Sequence, residues 1–118
     1  MLRQNRIDNV HLALGPTDLR KSVDGLALIV SESFKLDPFS RSLFVFCNRK
    51  RDKIKILEWD YNGFWLHYKR LEKSTFDWPD GNEGTSLAIG ERELSWLLDG
   101  LSIHQNHAHK EVLERIMI

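Results

Sequence analysis

The feature that most narrows the fold lies between residues 43 and 71, where three strand-like runs follow one another with only turn-length spacers. Leu43-Phe44-Val45-Phe46-Cys47 is apolar at every position, the pattern of a strand buried on both faces. Asn48-Arg49-Lys50-Arg51-Asp52 is polar and turn-forming. Lys53-Ile54-Lys55-Ile56 then alternates strictly, isoleucines on one face and lysines on the other. The alternation slips at Leu57, which predicts a bulge near Ile56 and Leu57. Asp60-Tyr61-Asn62-Gly63 is a reverse-turn sequence, because Asn and Gly tolerate the positive φ that tight hairpins demand. Phe64, Leu66 and Tyr68 alternate with Trp65, His67 and Lys69 along a third run. Three consecutive strands joined by short turns make an antiparallel meander.

The flanks add helices and further strands. Residues 10–14 form a short apolar-leaning run stopped by Gly15-Pro16, a first strand. Thr17 reads as a helix N-cap with Asp18 in the first turn, where the helix dipole favours a carboxylate. Leu19, Val23, Leu26, Val30 and Phe34 recur at helical spacing, so a helix is expected from Thr17 to about Phe34, ended by Asp37-Pro38. Arg20 and Asp24 are spaced on it for an i, i+4 ion pair. Gly25 inside it costs roughly 1 kcal/mol relative to Ala and suggests close packing. Residues 78–82 are loop chemistry, and residues 87–89 are a short strand. Glu91, Arg92 and Glu93 open a second helix with Leu94, Leu97 and Leu98 inward and Gly100 as the left-handed residue past its end. A last short helix is expected over residues 109–118. The fold class is therefore α+β: a single small domain, an antiparallel β-meander with helices packed on a face.

Charge is zero in total but unevenly placed. Residues 41–73 carry nine basic against four acidic groups, whereas residues 74–100 carry Arg92 alone against six acids. A molecule polarised in this way has halves that pair with each other or face two different partners. One cysteine, Cys47, excludes an internal disulfide. No apolar run approaches the roughly 20 residues of a membrane span, and the chain is expected to be cytoplasmic, with no membrane partner.

Several of these runs resemble a known family. The opening motif is Gly15-Pro16-Thr17-Asp18-Leu19-Arg20-Lys21-Ser22-Val23-Asp24-Gly25-Leu26. The run from Leu43 through the basic turn to Leu57, the run Asn62 to Glu72, and Phe76-Asp77-Trp78-Pro79 follow in order, with Leu97-Leu98-Asp99-Gly100-Leu101 a weaker echo. Together they resemble the TnpB-type accessory protein encoded by the second open reading frame of insertion sequences of family sixty-six. That family is unrelated to the RNA-guided nuclease sharing the name. The resemblance covers about residues 7–101 and implies a non-catalytic factor in DNA transposition, working beside a separate transposase, which is the implied partner. An accessory-protein domain is therefore expected over residues 1–101, followed by a divergent C-terminal tail over 102–118. Family members often end in an Arg-rich tail; here that segment is nearly neutral and contains His104, His107 and His109.

The best candidate surface is the basic hairpin. Arg49, Lys50 and Arg51 lie at a turn, Lys53 and Lys55 project from one strand face, and Lys69, Arg70 and Lys73 end the third strand at the same edge. Cations so gathered suit phosphate contacts on transposon-end DNA, each releasing counterions and making affinity salt-dependent. Exposed members of the set Trp59, Trp65 and Tyr68 would stack on unpaired bases. The competing reading is a solvated tip that guards the sheet against edge aggregation, with the aromatics in the core. A second surface, Trp96 with Glu91 and Glu93, suits docking onto the transposase without DNA. Nothing assembles a catalytic centre. Asp18 and Asp24 fall on largely different helix faces, the acids at 52, 58 and 60 are assigned to turns and strand edges, and the tail histidines lack the ligands that complete a zinc site. Cys47 is expected to pack as a small hydrophobe. Neither enzymatic activity, a metal nor a cofactor is expected, and oligomeric state stays open.

Overall fold

The computed structural model describes residues 7–82 and 84–104. Its elements are β1 (Asn9–Ala13), α1 (Val23–Glu32), β2 (Ser42–Cys47), β3 (Lys53–Asp60), β4 (Gly63–Arg70), β5 (Ser86–Ile89) and α2 (Glu91–Leu98). One sheet contains all five strands in the order β4-β3-β2-β1-β5. The meander is as expected: β2 pairs antiparallel with β3 from Leu43↔Glu58 to Cys47↔Ile54, and β3 with β4 from Lys53↔Arg70 to Asp60↔Gly63. β1 adds parallel to β2, with Val10 opposite Leu43 and Leu12 opposite Val45, and β5 closes antiparallel on β1. Parallel neighbours need a crossover, and α1 provides it.

The expected bulge is absent, since the β2–β3 and β3–β4 registers run unbroken past Ile56 and Leu57. Both residues are apolar because both sheet faces are covered. Phe44, Phe46 and Leu57 pack with Leu26 and Val30 of α1. Val45, Ile54 and Ile56 pack on the other face with Leu94 and Leu97 of α2. Each helix thus owns one face. Phe76 and Trp78, from the segment after β4, join the α2 layer, and Trp78 Nε1 donates to the Ala13 carbonyl at 2.9 Å. Ile103 is buried in the same layer.

The start of α1 also differs from the sequence reading. Thr17 is not the N-cap; its N–H donates to the Cys47 carbonyl at 2.8 Å, and the helix begins at Val23 after Ser22. Residues 18–21 form a turn instead, with Lys21 N–H donating to the Asp18 carbonyl. Arg20 therefore lies outside the helix and pairs with Asp18 at 2.7 Å, not with Asp24. Gly25 does pack closely: a Cβ there would lie 3.1 Å from the Lys21 Cβ. In the β3–β4 turn the left-handed residue is Tyr61 (φ +57°), while Gly63 already belongs to β4. At the end of α2, Gly100 (φ +85°) is left-handed as expected. Leu101 N–H bonds the Trp96 carbonyl and Gly100 N–H the Leu97 carbonyl, the paired cap of a Schellman motif. Among the described residues no helix is long and apolar enough to cross a membrane. The helix expected over 109–118, with His107 and His109, lies outside the described residues.

Candidate nucleic-acid interface

The basic turn is held from within by one side chain. Asn48 Oδ1 accepts the Asp52 and Lys53 N–H groups at 3.1 and 3.0 Å, and its Nδ2 donates to the Asp52 carboxylate at 2.7 Å. That amide bond is the main reason the Asp52 carboxyl titrates below its ordinary range. Arg51 is left-handed (φ +61°), and its N–H closes on the Asn48 carbonyl at 3.1 Å. Outside the turn, Phe76 N–H donates to the Arg51 carbonyl and Leu71 N–H to the Asp52 carbonyl. The backbone is fixed on both sides, and Arg49, Lys50 and Arg51 stand exposed upon it. Among the described residues none of the three side chains makes a hydrogen bond or an ion pair.

Parallel pairing of β1 and β2 brings the chain after β1 to this same end of the sheet. The Thr17–Cys47 bond ties it there, and Lys55 reaches across from β3 to donate to the Leu19 carbonyl at 2.6 Å and the Lys21 carbonyl at 3.3 Å. A groove of about 720 Å³ lies between. Residues 16–20 make one wall, residues 48–50 one end, and Lys53, Lys55 and Tyr68 the sheet side. Among the described residues its lining holds five cations (Arg20, Arg49, Lys50, Lys53, Lys55) and one acid, Asp18. Hydrogen bonds from the Arg20 side chain and N–H hold the Asp18 carboxyl well below the carboxylate range, so it stays charged and matched to Arg20.

Not all eight anticipated cations converge. Arg49, Lys50, Lys53 and Lys55 share the groove, while Arg51 lines a smaller recess with Trp78 and Asp80. Lys69 sits on the α2 face and donates to the Leu98 carbonyl at 2.8 Å, complementing the helix C-terminus. Arg70 pairs with Glu72 at 2.9 Å, and Lys73 is exposed in the following loop. Trp59 packs at the other end of β3 with Phe39 and Phe64, and Trp65 bonds Asp60 there, so Tyr68 is the aromatic of the three beside the turn. On α2, Glu93 accepts the Gly90 N–H at 2.8 Å, Glu91 is exposed, and Trp96 is half-buried.

The sequence reading missed two features. Arg20 joins the groove because residues 16–20 are loop, a state that Gly15-Pro16 signals if the break is extended beyond Pro16. Glu58, assigned to a strand edge, is fully buried within β3 beside His67 Nε2 at 2.8 Å. Only its even position after Ile54 and Ile56 marks it as inward. Cys47 is buried, and burial pushes its thiol up to about 12, which suits packing and not nucleophilic attack. Among the described residues no three His, Cys, Asp or Glu side chains gather to hold a metal ion.

Comparison with known proteins gives the chain relatives in sequence. The family model described as IS66 Orf2 like protein matches residues 8–108. The uncharacterized protein y4hO of Sinorhizobium fredii is 40% identical over 101 residues, covering 86% of this chain and 87% of that protein. The uncharacterized protein y4jC of the same organism is 31% identical over 101 residues, 86% of each chain. No solved structure matches the chain significantly.

Proposed function

The chain belongs to the IS66 Orf2 like family, whose members have a non-catalytic accessory role in transposition, and on that premise we propose that it contacts transposon-end DNA through residues 48–52. The observation that carries this reading is the anchored turn: three exposed cations on a fixed backbone, with no side-chain partner among the described residues. Lys53 extends the charge along β3. Lys69 and Arg70 are engaged elsewhere, so the working set is Arg49, Lys50, Arg51 and Lys53, with Lys73 at its margin. The contact falls in the domain proposed over residues 1–101, and none is assigned to the near-neutral tail. The cognate transposase is the protein partner, and the cytoplasm, where the DNA is, the compartment.

A mobility-shift titration on terminal-repeat DNA, with and without the transposase, tests this. Each phosphate contact contributes about 0.9 to the slope of log affinity against log salt, so R49A/K50A/R51A should lower the slope by up to about 2.7 and abolish binding near 150 mM salt. Absence of any shift at low salt removes the reading. The second reading, docking on the transposase without DNA, draws on exposed Glu91 and on Trp96 beside exposed Leu101 at the end of α2. Charge reversal across residues 77–93 then reduces co-purification with the transposase.

A further inference from the structure

We infer that the groove between residues 16–20 and the β3–β4 hairpin receives an unpaired nucleotide, its base against Tyr68 and its phosphate at Arg49, Lys50 and Lys53; this deepens the DNA-contact reading and rests on it. Three observations converge. The groove is concave and about 720 Å³, within the roughly 300–1,000 Å³ range of sites that enclose a small organic ligand. A duplex presents a convex, stacked surface to such a recess, whereas a splayed nucleotide enters it. Positive charge lines the groove: Arg49 and Lys50 stand at one end and Lys53 on the sheet side, while among the described residues the one acid, Asp18, is matched to Arg20 on the facing wall.

The aromatic is distinctive. Phe39, Trp59 and Phe64 pack on one another edge-on or tilted, and Trp65 stacks with His67. Tyr68 is 55% exposed, and among the described residues no ring stacks on it. It stands on the sheet side of the groove, opposite Lys55 in the β3–β4 register. A tyrosine with a free face beside phosphate-binding cations is the combination that holds single strands without reading their sequence.

Fluorescence anisotropy at low salt with the full chain decides it, using a labelled thymidine 12-mer, the same backbone made abasic, and a hairpin duplex of equal length. The 12-mer should bind more tightly than either comparator. Y68A should weaken the 12-mer about 5- to 150-fold, the stacking range per base, while leaving the duplex within about twofold. Y68F, which keeps the ring, should bind as the parent, and a melt of each variant separates lost binding from lost folding. Duplex bound as tightly as the 12-mer, with Y68A unchanged, overturns the groove assignment and leaves the turn's DNA contact standing. No binding to any of the three overturns both. If a parallel co-purification shows Y68A losing only its hold on the transposase, a protein segment occupies the groove and the assignment is also overturned.

Discussion

Lys55 is where two roles compete, and replacing it with methionine separates them. Its ammonium donates to the Leu19 carbonyl at 2.6 Å and the Lys21 carbonyl at 3.3 Å, fastening residues 16–21 to β3. Methionine keeps most of the aliphatic stem, so the loss is chiefly one strong charge-assisted bond, worth about 1.5–3 kcal/mol; the longer contact adds little. Unfolding entropy of about 2.1 cal/mol/K per residue gives a chain of this size about 0.25 kcal/mol per degree. K55M should therefore melt about 6–12 °C lower by calorimetry. The salt dependence of DNA binding should keep its slope, because a lysine held on carbonyls releases no phosphate counterions. Were Lys55 a direct DNA contact, the slope would instead fall by about 0.9 with little change in melting. A melting shift under about 2 °C with a slope reduced by nearly one would refute the bracing role.

Three other perturbations follow from the geometry. Burial lowers the His11 pKa below 6.5, so the unfolded chain binds more protons between the two values; stability present above 6.5 is lost as pH falls through the folded pKa, and H11Q should flatten that part of a melting-versus-pH curve. Gly100→Ala forces a left-handed alanine (φ +85°) into open space, costing about 1 kcal/mol from conformation alone, readable as a shift of about 4 °C in melting. Asn48→Ala removes the amide bond that depresses Asp52, and carboxyl NMR should find that residue titrating closer to 3.8.

The meander was legible because its signals are local: alternation in Lys53 to Ile56, an Asp-Tyr-Asn-Gly turn, and the all-apolar run Leu43 to Cys47. The Gly100 cap was legible for the same reason. The parallel partnership of β1 with β2 was not, since no short-range pattern states which strand a run will neighbour. The groove depends on that partnership, as the Thr17–Cys47 bond exists only when β1 and β2 end together. Thr17 and Asp18 carried a helix-start signature that tertiary bonding overrode. Leu57 imitated a bulge because periodicity assumes one wet face, and here α1 and α2 cover both. Eight cations close in sequence looked like one patch. Strand alternation sends Lys69 to the face opposite Lys53, and only the register says so.

The position of β1 also sets an order of assembly. β2, β3 and β4 are joined by turns of a few residues and can pair while the rest of the chain is still open. β1 must wait for α1 to cross over, and Val10 must then meet Ile89 from the far end of the described chain. Closing large loops before any contact rewards them is slow, so the folding barrier is expected to lie at the insertion of β1 between an existing meander and β5. φ-values near one for the β3–β4 hairpin and near zero for β5 would mark that order. Until β1 arrives, the edge of β2, apolar at Leu43 to Cys47, is bare; the half-built chain therefore exposes an adhesive strand edge, and its yield in the cell depends on how briefly that edge stays open.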